Sequence, residues 1–313
     1  MGYGSFPGNE KVKELLKKMT LSQTLPQALL LKGERLTFKE EIAQELARAL
    51  LCSQGAEEAC GVCPLCRLFG RDEEGRPLTP PDMLILDPPG DLIKIDEVRE
   101  AIRFIGAHPM VAPKKVVVIS DMDRMNQEAQ NAFLKVLEEP HPYVNYIMTT
   151  GRIDTLLPTI LSRSQVFSLQ EPKERDLLDY FGLPGREELV LLRERGLRWS
   201  EIPEGEKILF SRMRECMDPL FAGGRGSAVA AVKLKELWEE AGREESKRVL
   251  RLLLSLAMER GRSLLAEVVK ERGKEPWQRE VRELLLKTEA IYRESFSNAS
   301  AEVLLAAFLS SFL

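Results

Sequence analysis

Apolar residues along the first half of the chain follow two alternating patterns. Short continuous apolar runs, rich in leucine or β-branched side chains, predict strands that are buried on both faces. Between these runs, apolar positions recur every three or four residues, which is typical of amphipathic helices. Because strands alternate with helices, we predict an α/β fold around a parallel sheet. The predicted strands are Ala28–Leu31, Met83–Leu86, Val116–Ile119 and Tyr146–Thr149, and the predicted helices are Glu10–Met19, Phe38–Leu51, Asp96–Ile105 and Asn126–Glu139.

The second half of the chain has a different pattern. From Glu171 onward only helical spacing is present, interrupted by glycine and proline, so this part is predicted to be all-α. The glycine-rich stretch Ala222–Gly226 predicts a flexible loop. We therefore divide the chain into an α/β domain at residues 1–167, a small helical domain at 168–205 and a larger helical domain at 206–313.

Composition excludes several classes of protein. Of the 313 residues, 44% are hydrophobic and 30% are charged, which is ordinary for a globular protein and excludes a collagen or a disordered tail. The formal net charge of −4 gives no overall basicity that would indicate nucleic-acid binding. The most apolar stretches, Leu250–Met258 and Val303–Leu313, are shorter than the roughly 20 residues that cross a bilayer. With no signal-peptide pattern at its start, the chain is expected to be cytoplasmic.

Four of the five cysteines lie close together, in the spacing C-x7-C-x2-C-x2-C. Two successive C-x2-C spacings form tight turns, and zinc favours four thiolate ligands in a tetrahedral arrangement. In a reducing compartment this cluster is more typical of metal binding than of disulfides. We therefore predict a structural zinc site, with an iron–sulfur cluster or reduced, unliganded cysteines as the alternatives. The predicted ligands are Cys52, Cys60, Cys63 and Cys66.

A damaged phosphate loop follows the first predicted strand. An NTPase needs the pattern G-x-x-x-x-G-K-[ST] there, because the glycines let backbone N–H groups approach the phosphates and the hydroxyl binds magnesium. In this chain Gly33 and Lys39 occupy the first glycine and the lysine positions. Phe38 replaces the second glycine, and Glu40 replaces the hydroxyl residue. A carboxylate at that position would face the phosphates, so the pattern indicates a strand–loop–helix unit whose phosphate loop is damaged.

Two further stretches resemble the clamp-loader subunits of bacterial DNA polymerase III. Residues 131–140, NAFLKVLEEP, are similar to that family's N-A-L-L-K-x-L-E-E-P, and residues 156–163, LLPTILSR, are similar to its L-P-T-I-x-S-R-C. A zinc module after the first helix is characteristic of the family's bacterial branch, and residues 298–305 resemble its last helix more loosely. The resemblance covers nearly all of residues 1–170. It implies a RecA-like AAA+ domain with the zinc module, then a helical lid and a helical collar that oligomerises.

The resemblance also implies roles for particular residues. Ser120 occupies the Walker B position of the magnesium ligand, beside Asp121 at the position of the catalytic acid, and a hydroxyl cannot replace a carboxylate as this ligand. Two damaged nucleotide motifs in one chain resemble the delta-prime type, which is not an ATPase, so no bound ATP is expected. The family's S-R-C arginine is retained as Arg163, positioned by Ser162, and implies a finger that reaches a neighbouring subunit's ATP. Ser164 departs from the family's cysteine.

By this resemblance the chain is a non-catalytic subunit that assembles with gamma/tau and delta subunits, and the assembly loads the beta sliding clamp onto primed DNA. Two alternatives remain open. One is a divergent gamma/tau-type ATPase whose site tolerates Phe38, Glu40 and Ser120. The other is a zinc-dependent DNA-binding protein. The cysteine module has Glu57 and Glu58 but few basic residues, which makes it a poor surface for phosphates.

Overall fold

The computed structural model describes residues 2–71, 77–87, 92–183, 185–195, 202–222, 224–241, 246–268, 275–295 and 299–312. The chain forms two compact units, Met1–Tyr180 and Phe181–Leu313. The first unit is built around a parallel sheet and the second is helical in its described residues, which confirms the predicted fold class. The division into three domains stays a prediction.

Strands in the described part of the first unit form a parallel sheet and a short antiparallel hairpin. The sheet strands are β1 (Ala28–Lys32), β4 (Met83–Leu86), β5 (Lys115–Ile119), β6 (Val144–Thr150) and β7 (Gln165–Ser168), and the hairpin pairs β2 (Gly70–Arg71) with β3 (Pro77–Leu78). The order across the sheet is β4-β5-β6-β1-β7, and every neighbouring pair is parallel. All residues of β5 and β6 are buried, including the polar Lys115, Asn145, Thr149 and Thr150, so burial extends beyond the apolar runs that predict these strands.

The sheet contains one strand more than the sequence pattern predicts. β7 lies at the edge beside β1, where Leu29 pairs with Gln165 and Lys32 with Ser168. In its sequence QVFS only Phe167 is buried, while Gln165 and Ser168 are exposed, so β7 lacks the apolar run from which the other four strands are predicted. The two-residue hairpin strands likewise carry no periodicity.

Helices of the first unit confirm the amphipathic segments to within a few residues. The Asn126 side chain caps the helix that precedes Pro140, accepting a hydrogen bond from the N–H of Ala129 at 2.9 Å. The sequence Asp87-Pro88-Pro89-Gly90 predicts a turn after β4, but residues 88–90 lie outside the described part. The helices are α1 (Glu10–Leu21), α2 (Lys39–Leu51), α3 (Pro64–Arg67), α4 (Ile95–Gly106), α5 (Gln127–Glu138), α6 (Pro158–Leu161) and α7 (Glu174–Phe181).

One hydrophobic cluster of this unit lies between the sheet and α4 and α5, while α2 also packs on β5 and β6. Phe133 of α5 packs edge-on against Tyr146 of β6, with ring centroids 5.9 Å apart, and both side chains are fully buried. Burying one such aromatic side chain contributes about 1.5–3 kcal/mol to stability. The helical stripe of α5 therefore fixes this helix against the sheet.

Asp82 is a buried carboxylate that the sequence pattern does not single out. Its Oδ1 accepts the N–H of Met110, and its Oδ2 accepts those of Val111 and Ala112, each at 2.7 Å. Burial alone would raise the pKa of Asp82, but these three donors and the nearby Lys115 together lower it. The carboxylate thereby fixes the loop between α4 and β5.

Helices of the second unit are α8 (Glu187–Arg195), α9 (Glu204–Glu215), α10 (Met217–Ala222), α11 (Gly224–Glu240), α12 (Ser246–Val268), α13 (Glu275–Glu294) and α14 (Ala301–Ser310). The long helix α12 packs against α8, α13 and α14. Gly261 of α12 permits a close approach, because a Cβ there would lie 2.6 Å from Cδ2 of Leu285. Phe308 and Phe312 pack edge-on, with ring centroids 5.1 Å apart.

The predicted flexible loop across Ala222–Gly226 is wrong. α10 continues to Ala222 and α11 begins at Gly224, while Gly223 lies outside the described residues. Each helical glycine costs about 1 kcal/mol relative to alanine, but α10 and α11 pack on each other, and tertiary packing outweighs that local cost. Across the described ranges, no helix is both long and apolar enough to cross a membrane.

Candidate functional site

The carboxyl ends of the parallel strands form the edge of the sheet where α/β proteins bind ligands. The loop Gly33–Phe38 follows β1 at this edge, Ser120 and Asp121 follow β5, and Thr149 and Thr150 end β6. The register of the sheet places Leu31 opposite Thr149, and the N–H of Gly33 donates to the carbonyl of Thr150 at 3.0 Å. The structure thus brings the predicted phosphate-loop and Walker B residues together.

Lys39 is paired with carboxylates of its own chain. Its side chain is 5% exposed, and its Nζ lies 2.9 Å from Glu40 Oε1 and 2.9 Å from Asp121 Oδ1. Thr149 Oγ1 accepts the N–H of Asp121 at 2.8 Å and donates to Glu40 Oε1 at 3.4 Å. We call Lys39, Glu40 and Asp121 the internal ion triad. It joins α2 to the ends of β5 and β6.

The triad leaves a net negative charge at the position of the phosphate-binding lysine. Burial alone would lower the pKa of Lys39, but the carboxylates of Glu40 and Asp121 outweigh burial and raise it, so the ammonium form is favoured. Burial and the neighbouring Asp121 raise the pKa of Glu40 despite the attraction of Lys39. One cation therefore faces two carboxylates, and its charge is already neutralised.

The loop Gly33–Phe38 is closed around the side chain of Thr37. Thr37 is 2% exposed, and its hydroxyl donates to the carbonyl of Glu34 at 2.7 Å. A Cβ at Gly33 would lie 2.4 Å from Thr37 Oγ1, so only glycine fits there. Asn9 donates from Nδ2 to the carbonyls of Thr37 and Gln170, which ties the loop to two distant segments.

Phe38 fills the position that the phosphate-loop pattern assigns to glycine. Its φ of +59° is in the left-handed region, which a glycine adopts without strain and a phenylalanine adopts at a cost of order 1–3 kcal/mol. The ring is 5% exposed, stacks on Phe6 with centroids 5.6 Å apart and meets Tyr180 edge-on at 5.1 Å. This apolar packing offsets the backbone strain.

Arg163 lies near the amino ends of the parallel strands, at the opposite end of the sheet from the internal ion triad. It lines a groove of about 330 Å³ whose wall includes Ala28, the first residue of β1, whereas the loop at Gly33 follows the last residue of β1. A five-residue strand spans about 16 Å. Arg163 therefore cannot reach the internal ion triad of its own chain. Its guanidinium lies 3.1 Å from Glu138 Oε1, and Ser162, the predicted positioning residue, lies 3.3 Å away through its Oγ.

The four clustered cysteines form a compact donor set. All four Sγ atoms lie within 4.8 Å of one another, and those of Cys60 and Cys66 are 3.9 Å apart. The N–H of Cys63 donates to Cys60 Sγ at 3.4 Å, and that of Cys66 donates to Cys63 Sγ at 3.3 Å. Such donors favour the thiolate form that metals bind. A tetrahedral site with metal–sulfur bonds of about 2.3 Å has sulfur–sulfur distances of about 3.8 Å. The cluster fits a metal ion.

Fold and site together define an α/β domain of the AAA+ type whose phosphate loop is altered and whose cysteine cluster can hold a metal ion. Comparison with known proteins agrees. The sequence profile of the family described as "DNA polymerase III, delta subunit" matches residues 8–173. The chain belongs to this family of clamp-loader subunits, and its curated relatives include subunits of the delta-prime type.

The matched relatives are similar over part of the chain. The delta-prime subunit of Haemophilus influenzae is 32% identical over 148 residues, 47% of this chain and 43% of that protein. The gamma/tau subunit of Mycoplasma genitalium is 24% identical over 200 residues, 63% of this chain and 32% of that protein. The matched stretches thus span less than half the length of these relatives.

A solved structure confirms the fold. The crystal structure of a gamma-subunit-related protein from Thermotoga maritima aligns with a TM-score of 0.51 over 96% of this chain and 98% of that one, at 23% identity.

The sequence motifs identify most of this site, but not its internal contacts. Gly33, Lys39, Ser120 and Asp121 are found at one edge, as the damaged motifs require. Sequence reasoning misses Glu138 as the partner of Arg163, although Glu138 lies within the quoted motif at residues 131–140. It also misses the aromatic packing of Phe6 and Tyr180 on Phe38, for which no pattern in the sequence gives a signal.

Replacing the cation of the internal ion triad should destabilise the first unit. Lys39→Met leaves Glu40 and Asp121 as unpaired neighbours. Breaking a fully buried pair costs about 3–5 kcal/mol; because these carboxylates are 35% and 40% exposed, we expect a loss of about 1–3 kcal/mol in the free energy of unfolding.

Urea unfolding at neutral pH measures this loss. Lys11→Met, an exposed lysine on α1, is the matched control and should be nearly neutral. Adding Glu40→Gln and Asp121→Asn to Lys39→Met should recover most of the loss, because no carboxylate is then left unpaired. Equal stability of Lys39→Met and Lys11→Met would contradict a stabilising triad.

Proposed function

We propose that the chain is a delta-prime subunit without ATPase activity in a clamp loader of DNA polymerase III. It assembles with gamma/tau and delta subunits, helps to load the beta sliding clamp onto primed DNA and supplies Arg163 to the ATP site of a neighbour. One observation carries this proposal: the lysine of its own phosphate loop is neutralised by Glu40 and Asp121, while Arg163 lies at the opposite edge of the sheet.

Charge at the internal ion triad argues against nucleotide binding. A triphosphate entering this site meets the carboxylates of Glu40 and Asp121 instead of a free ammonium group. Two like unit charges 4 Å apart near a protein surface repel by about 4 kcal/mol. Ser120 offers magnesium a hydroxyl where a carboxylate is needed, so the ion cannot offset this repulsion. The buried ring of Phe38 adds a steric obstacle.

The partly exposed guanidinium of Arg163, at the amino ends of the strands, is placed where it could contact the ATP site of a second chain. The Arg163 side chain is 37% exposed and lines an open groove. A guanidinium placed against a γ-phosphate stabilises the negative charge that develops during hydrolysis. Because its own triad lies a full strand length away, Arg163 can do this only for a neighbour.

A divergent gamma/tau-type ATPase is the second candidate, and the similarity to gamma/tau subunits favours it. Both candidates share the fold, and they differ in whether Lys39 can exchange its carboxylates for phosphates. The two 2.9 Å ion pairs favour the non-catalytic subunit. DNA binding by the cysteine module is less well supported, since the neighbouring Lys17 is already paired with Glu58 of the module at 2.6 Å.

The helical second unit is assigned to assembly. By resemblance, its first helices form the lid and the remainder forms the collar, which packs with the collars of other subunits into a ring. Exposed apolar side chains on α11, α13 and α14 suit such packing: Val229, Val232, Leu286 and Val303.

The metal of the cysteine cluster is proposed to be zinc, held by Cys52, Cys60, Cys63 and Cys66. When bound, zinc links the end of α2 to α3 and has no open position for catalysis, so its role is structural. We expect about one zinc ion per purified chain by elemental analysis.

Cys60→Ser should lose most of this zinc, because three ligands bind far more weakly than four. Cys216→Ser is the matched control and should keep it, since Cys216 lies in the second unit. Iron with visible charge-transfer absorption would instead identify an iron–sulfur cluster.

Removing the guanidinium tests the proposed role of Arg163. Arg163→Ala should leave folding and assembly intact and lower ATP hydrolysis by the reconstituted complex at least about tenfold at the site it serves, because a finger stabilises the transition state. Arg103→Ala, an exposed arginine on α4, is the control and should hydrolyse normally. Unchanged hydrolysis with Arg163→Ala would remove the finger role.

A further inference from the structure

The guanidinium of Arg163 is held against its own chain. Nη2 lies 3.1 Å from Glu138 Oε1, and Nη1 donates to the carbonyl of Thr159 at 3.1 Å and approaches Ser162 Oγ at 3.3 Å. These donors face α5 and α6. A finger must instead direct its N–H groups at phosphate oxygens of another chain. The observed position is therefore retracted.

We propose that Glu138 is a positioning residue that holds Arg163 retracted until the triphosphate of a neighbouring chain replaces its carboxylate. This inference rests on the proposed function of Arg163. Glu138 contacts no nucleotide itself and acts only through the guanidinium. Phosphate and carboxylate compete for the same N–H donors, and a carboxylate left beside a γ-phosphate would repel it. The pair must open before the finger can act.

The ion pair is suited to a reversible contact. The side chains of Arg163 and Glu138 are 37% and 44% exposed, and partly exposed ion pairs are weak. Glu138 is the last residue of α5, where the helix dipole adds a further attraction for a cation. The groove of about 330 Å³ beside Arg163 gives the side chain room to turn when it is released. A more highly charged triphosphate can therefore displace the carboxylate.

The reconstituted complex tests this role through concentration dependence. Glu138→Gln keeps the size of the side chain and removes its charge. We expect the concentration of this chain that gives half-maximal ATP hydrolysis by a gamma/tau partner to fall about two- to fivefold, with the maximal rate unchanged, because only the competing contact is weakened. Glu139→Gln makes the same charge change at the next, exposed residue and should behave as the wild type.

A lower maximal rate with Glu138→Gln would show that Glu138 supports the active position instead, and an unchanged half-maximal concentration would remove its role. Either result overturns the inference.

Chemical labelling of the isolated chain gives an independent measurement. Phenylglyoxal modifies free guanidinium groups, and peptide mass spectrometry reports the rate at Arg163. Labelling should be faster in Glu138→Gln than in the wild type or Glu139→Gln, and equal rates would overturn the inference whatever the hydrolysis assay gives. If Arg163→Ala has no effect on hydrolysis, the proposed function fails; if only the Glu138 effects are absent, the finger stands and the retracted position has no role.

Discussion

The contact between Lys39 and the carboxylates of Glu40 and Asp121 is the interaction on which this account of the site depends. In a nucleotide-binding domain, the phosphate-loop lysine, the Walker B acid and the end of the next strand are brought together by a bound triphosphate and its magnesium ion. Here the chain supplies the bridging charges itself, with two ion pairs of 2.9 Å and a hydrogen bond from Thr149. The same elements are held together by side chains of the chain alone.

Because side chains stand where a triphosphate would bind, the two ends of the parallel strands differ in what they can offer a ligand or a partner. The carboxyl edge has the geometry of a binding site, but its loop is closed around Thr37 and covered by Phe38, packed against Phe6 and Tyr180. The amino edge, about one strand length away, presents a partly exposed arginine beside a groove. On the proposed function, this domain binds no nucleotide of its own. We infer that it contributes a fixed surface and one guanidinium to its neighbours.

Most of the fold and the location of the site follow from local sequence patterns, but the contacts within the site do not. The four apolar runs predict β1, β4, β5 and β6 because strands buried on both faces need apolar side chains throughout. β7 escapes prediction because Gln165 and Ser168 are exposed and leave only two apolar residues, too few to form such a run. The glycines of Ala222–Gly226 predict a loop, but packing between α10 and α11 overrides this local propensity.

Within the site, the sequence predicts which residues take part but not which of them contact each other. Motif spacing identifies Gly33, Lys39, Ser120 and Asp121, since a damaged motif keeps its spacing. Contacts between residues far apart in the chain, such as Lys39 with Asp121 and Glu138 with Arg163, arise only when the sheet is assembled. Whether a charged residue is free or already paired is set by those long-range contacts. The sequence could therefore locate the altered nucleotide site, but it could not show that its lysine is paired with carboxylates of the same chain.

The most direct test of the central claim is the equilibrium binding of ATP to the purified chain in the presence of magnesium, measured by isothermal titration calorimetry. If the carboxylates of Glu40 and Asp121 occupy the phosphate position, no binding heat should be detected up to millimolar nucleotide. Binding with a micromolar dissociation constant would mean that the triphosphate displaces both carboxylates from Lys39. That result would contradict the account and favour the gamma/tau-type ATPase.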